Sequence, residues 1–441
     1  MHTTPALSLQ PLAKSERISG VDIARGVALL GILLVNARYF FWPFASAITP
    51  EHLVPGLETD TLDAIVWTGV EAFCAFKFIS LFSILFGFGI ALQASRAAAM
   101  QVSRWRLGLR RFAVLLGFGV VHATLIWYGD ILVVYAGFGV LVLAISACKP
   151  KAIFTWFIVF ACILGGLSLL TGVGAYIIST HPEWFGSAEG VVAPTVALAP
   201  LEGEAALRGT DAMREVFLRS AFPFGDPVWM QAEITAQQEG PWFDAFTFRM
   251  VNWLTCILVA FFGYGWHACT MMLFGAYAFA SGLFEADASA RRRRIGWRCF
   301  CIGVPIALAS VLPFWFWNLT DPMAKAFHSI GLEWAALTLP IGYALLLVEY
   351  GPKLPALLRG PIQSAGRMAL TFYLCESVLA IAIASWWGFG LFAKLGDSEL
   401  AVMSVGVWAG LALFAWLWLR RFNIGPAEWL WRRLSYGRKL D

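Results

Sequence analysis

Long apolar stretches separated by short polar segments recur along this chain. The hydrocarbon core of a bilayer takes about 20 residues of helix, so apolar runs of this length predict transmembrane helices. The pattern therefore predicts an all-α integral membrane protein with about ten transmembrane helices. The predicted spans are 21–43, 64–93, 112–129, 131–148, 152–180, 249–284, 296–317, 328–349, 366–389 and 400–419.

The basic residues predict how these spans are oriented. Most of the 32 Lys and Arg residues fall in six segments, which are 1–20, 94–111, 149–151, 285–295, 350–365 and 420–441. Acidic residues prevail on the opposite side. The positive-inside rule then predicts that both termini are cytoplasmic, which requires an even number of spans.

The chain is expected to divide into five parts. They are a cytoplasmic N-terminal tail at 1–20, a five-helix membrane half at 21–180, one large extracytoplasmic loop at 181–248, a second five-helix half at 249–419, and a cytoplasmic amphipathic tail at 420–441. Residues 249–284 are long enough for one crossing or two. We favour one crossing broken near Gly263 and Gly265, because two would place Arg291–Arg294 outside.

Composition narrows the class of protein further. The chain is 59% hydrophobic and 14% charged, with a mean hydropathy of +0.70, whereas soluble domains are about a quarter charged. These values exclude a soluble enzyme, a disordered chain and a nucleic-acid binder. The eight cysteines form no CxxC pair and no metal-ligand spacing, so we expect no metal.

The first span carries a polar stripe. Arg25 and Asn36 are 11 residues apart, which places them on one helix face about 16 Å apart along the axis. Asp22 lies one turn before Arg25. Ionisable residues inside a span are costly and are functional candidates. The simpler alternative is that Asp22 caps the helix while Arg25 reaches the lipid headgroups.

Two further ionisable residues are predicted deep in the membrane. Lys77 lies near the middle of the second span, and Glu376 lies well inside the ninth. Lys77 needs an anionic partner or ligand at this depth. Mutual neutralisation of Lys77 and Glu376 is one possibility, and a purely structural ion pair is another.

His122 is the candidate for proton transfer, because histidine exchanges a proton near neutral pH. It lies in the third span, which ends in Trp127-Tyr128-Gly129-Asp130. In a continuous helix His122 and Asp130 would be about 12 Å apart, so we expect both to border one cavity without direct contact. A hydrogen-bonded core histidine is the alternative, and His267 and His328 have that interpretation.

Several motifs together resemble one known family. They are DIARG at 22–26, GILLVN at 31–36, KF at 77–78, LFSILFG at 81–87, His122 with WYGDIL at 127–132, GRMALT at 366–371 with Tyr373, and GPAEWLWR at 425–432. This set resembles the YeiB family of bacterial inner-membrane proteins, and the C-terminal half resembles that family's domain of unknown function 418. The resemblance covers nearly the whole chain outside 181–248.

That resemblance implies membership of the transmembrane acyltransferase superfamily, whose members move an acyl group from cytoplasmic acyl-CoA to an acceptor across the membrane. Many members carry Arg and His in the first span. Here Arg25 matches the Arg, but Asn36 stands at the His position, so a different base is needed. His122 is the best available base, Asn36 is the expected oxyanion donor, and Asp130 completes the catalytic set.

The implied donor is acyl-CoA, with acetyl-CoA preferred, and the cations expected at the cytoplasmic mouth are Arg25, Arg104, Arg106, Arg110, Arg111 and Arg367. Asp22, Lys77, Tyr128, Tyr373 and Glu376 complete the expected donor- and substrate-binding set. The expected partners are membrane lipid and a small-molecule, glycan or lipid-linked acceptor, in a monomer or a homodimer. A transporter of a small polar or anionic compound, or a membrane scaffold, remains an alternative.

Overall fold

The computed structural model describes residues 18–48, 54–185, 209–219 and 223–436. Most of the predicted N-terminal tail, the middle of the 181–248 loop and residues 437–441 lie outside the described part. The α-helices of the described residues are α1 (Ser19–Phe41), α2 (Phe44–Ile48), α3 (Thr61–Phe73), α4 (Lys77–Ala99), α5 (Arg104–Leu125), α6 (Leu132–Ile145), α7 (Pro150–Thr180), α8 (Gly209–Arg219), α9 (Pro227–Glu239), α10 (Trp242–Phe262), α11 (Tyr264–Ala280), α12 (Ser289–Val311), α13 (Pro313–Phe316), α14 (Pro322–Tyr350), α15 (Ala356–Arg367), α16 (Ala369–Ala384), α17 (Asp397–Arg421) and α18 (Pro426–Tyr436).

The predicted all-α architecture is confirmed. Among the described residues, eight helices or helix pairs are long and apolar enough to cross a membrane. They are Ser19–Phe41, Thr61–Ala99, Arg104–Leu125, Pro150–Thr180, Trp242–Phe262, Ala286–Phe316, Pro322–Lys353 and Asp397–Arg421. Large apolar side chains on their outer faces are exposed, such as Leu170 at 69% and Phe262 at 83%. Exposed apolar surface of this extent on long apolar helices is typical of a membrane protein.

Two predicted spans have an irregular form. The span predicted at 131–148 is the short helix α6, and the one predicted at 366–389 is α16, which meets α15 at an angle of 91°. The break expected near Gly263 separates α10 from α11. However, α10 already begins at Trp242, so its first turns fall inside the segment predicted as loop.

Helix α1 lies at the centre of the bundle, where Ile23, Ala24 and Leu29 are fully buried. Its close contact with α15 depends on glycine. A Cβ atom at Gly366 would lie 1.8 Å from the carbonyl oxygen of Asp22. No side chain fits such a gap, so glycine lets the two backbones touch and brings the start of α16 beside α1.

The second span is interrupted in the middle. Helix α3 ends at Phe73 and α4 begins at Lys77, after Phe76 adopts φ of 60°. Interrupted helices expose backbone groups inside a membrane and occur where those groups line a cavity or find a partner. This break positions the side chains of Glu71 and Lys77.

The described part of the 181–248 segment folds onto α10. Helices α8 and α9 bury Val216, Trp229 and Phe248 against one another. Glu233 of α9 accepts hydrogen bonds from the Phe44 amide and from Asn252 Nδ2. The segment is therefore tied to α2 and α10 by buried polar contacts.

Candidate functional site

A cavity of about 560 Å³ lies inside the helix bundle. Five arginine side chains line it where α1 and α5 begin and α18 packs: Arg25, Arg104, Arg111, Arg367 and Arg432. At the other end, near the end of α1, the lining includes Arg38, Tyr39, Trp67 and Asp397. The cavity thus extends along much of the bundle, with a concentration of positive charge at one end.

Helix α18 covers the arginine end. Glu428 accepts hydrogen bonds from the amides of Leu370 and Thr371, and its other oxygen accepts from Thr371 Oγ1 at 2.6 Å. A carboxylate is stabilised by the unpaired amides at a helix start. Arg111 donates to Tyr436 Oη at 2.6 Å and lies over the ring of Trp431. These contacts fix the predicted amphipathic tail against α5 and α16.

The shared face predicted for Arg25 and Asn36 is present, since both line the cavity. Arg25 Nη1 lies 3.2 Å from Asp22 Oδ1 and 3.5 Å from the Gly366 carbonyl oxygen. Asp22 itself does not line the cavity but lies behind Arg25. The pair therefore orients one guanidinium group toward the cavity instead of leaving it to reach lipid headgroups.

His122 and Asp130 are in direct contact, contrary to our expectation. Helix α5 ends at Leu125 and the chain turns back, so that His122 Nδ1 lies 2.9 Å from Asp130 Oδ2. Asp130 Oδ1 also accepts from the Val133 amide at the start of α6. The expected separation of the two side chains assumed that the helix continues to residue 130. Because α5 ends at Leu125, the chain turns back and brings Asp130 to His122.

This pair also lies deeper than expected. The side chains of His122 and Asp130 are fully buried, and neither lines the cavity. The His122 ring packs against the ring of Tyr373 at 4.9 Å, and Tyr373 does line the cavity. His122 Nε2 has no hydrogen-bond partner. The pair is one side chain removed from the cavity surface.

Lys77 pairs with the end of α3 and not with Glu376. Its Nζ donates to the Glu71 carbonyl oxygen at 2.9 Å. In the last turn of α3, the Val70 carbonyl oxygen accepts hydrogen bonds from the amides of both Cys74 and Ala75. The Glu71 carbonyl oxygen therefore accepts no hydrogen bond from the helix backbone. A cation at a helix C-terminus is favourable. Lys77 is fully buried and does not reach the cavity.

Among the residues that the structure describes, the histidine in the cavity wall is His328, which the sequence had assigned to the core. Both His328 and Glu71 line the cavity, and His328 Nε2 lies 3.5 Å from Glu71 Oε1. Glu71 carried a signal, as an ionisable residue within a predicted span. His328 stands at the first position of its predicted span, where a polar residue is ordinary.

The remaining predicted residues divide between wall and interior. Tyr128, Arg367 and Tyr373 line the cavity, and Tyr128 Oη donates to the Tyr39 carbonyl oxygen at 3.0 Å. Glu376 is buried one turn beyond Tyr373, away from the cavity, and its Oε1 has no hydrogen-bond partner. Glu376 is thus outside the cavity wall that Tyr128, Arg367 and Tyr373 line.

A second buried histidine also has polar partners. His267 Nε2 lies 2.7 Å from Ser80 Oγ, and His267 Nδ1 lies 2.8 Å from Glu333 Oε1. Neither Ser80 nor His267 lines the cavity. Within the described ranges, no group of three or more His, Cys, Asp and Glu side chains is arranged to hold a metal ion.

The exposed apolar helices, which enclose a cavity with five arginines at one end, define a helical membrane protein. The chain belongs to the YeiB family. It is 30% identical to the uncharacterized protein YeiB of Escherichia coli (strain K12) over 427 residues, which are 95% of this chain and 96% of that protein. It is 29% identical to the uncharacterized protein YxaH of Bacillus subtilis (strain 168), covering 97% and 96% of the two chains.

The family model described as a protein of unknown function (DUF418) matches residues 278–438. An uncharacterized 39.9 kDa protein from the amylase 3' region of Bacillus acidopullulyticus is 26% identical over 437 residues. No solved structure matches this chain. The relatives extend over the whole cavity, but their descriptions assign no activity to it.

Proposed function

We propose that this protein is an acyltransferase of the bacterial inner membrane that transfers an acyl group from cytoplasmic acyl-CoA. The acceptor is a hydroxyl or amine that enters from the opposite side. One observation carries the proposal: a single cavity joins five arginines at one end to Asn36, Glu71 and His328 farther in. Acyl-CoA has an anionic nucleotide and a long neutral arm ending in the thioester, which suits this distribution of charge.

The proposed donor site is the arginine end. Arginine binds phosphate through charge-assisted and often bidentate hydrogen bonds. Arg104 and Arg111 of α5 line this end together with Arg367 and Arg432 from the C-terminal half. Arg25, oriented by Asp22, is the deepest of this group along α1. Donor binding at this end would direct the pantetheine arm toward Asn36.

The proposed reaction centre is at the level of Asn36. The Asn36 amide is suited to donate to the oxyanion that develops on the thioester carbonyl oxygen. The His122–Asp130 pair supports this centre from behind the wall, where the buried imidazole packs on Tyr373. Its position suits a pair that holds Tyr373 in place better than a base touching the acceptor.

The proposed topology has ten crossings with both termini in the cytoplasm. The eight candidate spans omit α6 and the bent pair of α15 and α16. Short or bent segments are acceptable inside a bundle when they line a cavity, and α6 contributes Leu132 and Tyr135 to the lining. The arginine-rich mouth would then face the cytoplasm, in agreement with the positive-inside rule.

Donor binding provides the test. Acetyl-CoA binding to the purified protein in detergent is measured by calorimetry, with free CoA as competitor. Arg104 lines the cavity, whereas Arg106 is exposed and outside it. Arg104→Gln should weaken acetyl-CoA binding about tenfold, corresponding to one lost charge-assisted bond. The matched Arg106→Gln should leave it unchanged. Wild-type protein that binds neither acetyl-CoA nor CoA contradicts the proposal.

A transporter of a small anionic compound is the second candidate. The ion pair between Arg38 Nε and Asp397 Oδ1, at 2.7 Å, stands at the end of the cavity opposite the arginines. A gate of this kind suits alternating access. Purified protein in liposomes would then carry an anion across the membrane without consuming acyl-CoA. Asp397→Asn would change the rate of this transport, and acetyl-CoA would not be consumed by the variant either.

A further inference from the structure

Glu71 and His328 form a polar pair in the wall of an otherwise largely apolar part of the cavity. The pair joins α3 to α14, and His328 Nε2 lies 3.5 Å from Glu71 Oε1. Each of the two side chains is 20% exposed, and both line the cavity. Unlike His122, His328 can therefore meet a ligand without rearrangement of the wall.

The surroundings of His328 favour one tautomer. His328 Nδ1 lies 3.2 Å from the Ser310 carbonyl oxygen, and a carbonyl oxygen only accepts hydrogen bonds. Nδ1 therefore carries a proton, and in the neutral ring the lone pair of Nε2 is directed at Glu71. The ring also packs against Phe314 at 5.3 Å, which fixes its plane.

With the ring neutral and the carboxyl group ionised, two acceptors face each other at a distance longer than a good hydrogen bond. A neutral Nε2 and a carboxylate oxygen repel unless a proton donor lies between them. Lys77 Nζ does not supply one, because it is bound to the Glu71 carbonyl oxygen. A hydroxyl or ammonium group of a ligand in the cavity would donate to both acceptors.

We infer that Glu71 and His328 are the acid–base pair that binds the acceptor and takes its proton, an inference that rests on the proposed acyltransferase function. An ammonium acceptor first releases one proton to water. The oxygen of the hydroxyl, or the nitrogen of the neutral amine, then forms a bond to the thioester carbonyl carbon while a proton of that group passes to His328 Nε2. The C–S bond then breaks, CoA leaves as the thiolate, and the proton returns from Nε2 to the sulfur. Glu71 stabilises the transient imidazolium, as a carboxylate does beside other catalytic histidines.

Two acceptor probes separate this role from a structural one. Ethanolamine is largely protonated near pH 7 and needs a base, whereas hydroxylamine is largely neutral and is already a nucleophile. The release of CoA thiol from acetyl-CoA and the acetylated product are measured for both probes. The comparison uses His328→Gln and, as a matched control, His267→Gln, which changes a buried histidine outside the cavity wall.

In His328→Gln, the rate with ethanolamine should fall about 10²–10⁴-fold, the usual contribution of a general base. The rate with hydroxylamine should fall less than about tenfold, and acetyl-CoA binding should be retained. Glu71→Gln should show the same selectivity with a smaller loss. His267→Gln should affect the two probes equally, if at all.

Two results would overturn the inference. In the first, wild-type protein transfers acetyl groups while His328→Gln lowers the rates with ethanolamine and hydroxylamine by the same factor. In that case the pair is not the base, and only this inference fails. If wild-type protein binds no acetyl-CoA and releases no CoA with either probe, the proposed acyltransferase function fails together with it. If His328→Gln loses acetyl-CoA binding, the selectivity between the two probes is measured on Glu71→Gln instead. This second variant keeps the shape of the side chain.

Discussion

Asp130 Oδ2 accepts a hydrogen bond from His122 Nδ1 at 2.9 Å, while Asp130 Oδ1 accepts one from the Val133 amide. One buried carboxylate thus joins the last turn of α5 to the first turn of α6. The close approach requires Gly119, where a Cβ atom would lie 2.7 Å from Asp130 Oδ1. The pair is a structural link between two helices as well as a neighbour of Tyr373.

We predict that Asp130→Ala lowers the free energy of unfolding by about 1–3 kcal/mol, because it leaves the buried His122 Nδ1 and the partly buried Val133 amide without an acceptor. Asp130→Asn should cost less, since the amide oxygen can still cap α6. The measurement is thermal unfolding in detergent. A Tm for Asp130→Ala equal to that of wild type would mean that water or another group satisfies these donors.

The contact between α4 and α11 provides a prediction about packing. A Cβ atom at Gly87 would lie 1.9 Å from the Met272 carbonyl oxygen, whereas one at Gly89 meets nothing within 4 Å. Gly87→Ala should therefore destabilise the fold by about 1–3 kcal/mol through overpacking. Gly89→Ala should be neutral or stabilising by up to about 1 kcal/mol, because alanine favours the helix.

The two glycine variants are compared by the Tm of the purified protein in the same detergent. They change the same helix by the same methyl group, so the environment of each position is the only difference. Equal Tm values would show that α4 and α11 do not pack backbone to backbone.

Glu233 should make stability depend on pH. Burial raises the pKa of its carboxyl from 4.5 to about 7, against the opposing effect of its hydrogen bonds from Phe44 and Asn252. Between these two pH values the folded protein holds a proton that the unfolded chain releases. The contribution to stability is therefore fully present below about pH 4.5, is lost as the pH rises to about 7, and stays constant above that.

Glu233→Gln keeps the shape but cannot ionise. We expect the Tm of wild type relative to Glu233→Gln to fall between about pH 5 and pH 8, because other titrating groups cancel in the comparison. A difference in Tm that is independent of pH would show that Glu233 is ionised in the folded protein throughout this range.

The hydrophobic pattern and helical periodicity were sufficient for the local features. The apolar runs predicted an all-α membrane protein, and the 11-residue spacing of Arg25 and Asn36 predicted that both face the same space. Such inferences succeed because residues on one helix are related by a fixed rotation and rise. The break at Gly263 was predictable for a similar reason, since glycine weakens a helix locally.

The break before Lys77 was not predictable in the same way. The apolar sequence of the second span continues through residues 74–76, and nothing local requires the helix to stop there. The α3 end is satisfied by Lys77 Nζ, a contact that exists only after the chain has turned. A pattern of apolar residues therefore located the span but not the position of its charged groups within the bundle.

The sequence by itself determined the class of protein, the approximate spans and the face of α1 that carries Arg25 and Asn36, because these depend on composition and on one helix at a time. Only the tertiary structure decided that His122 lies behind Tyr373 and that His328 meets Glu71 in the cavity wall. Glu71 and His328 belong to helices far apart in the chain, and their meeting depends on the packing of the whole bundle. Packing of that kind is a property of many contacts together, and no local spacing encodes it.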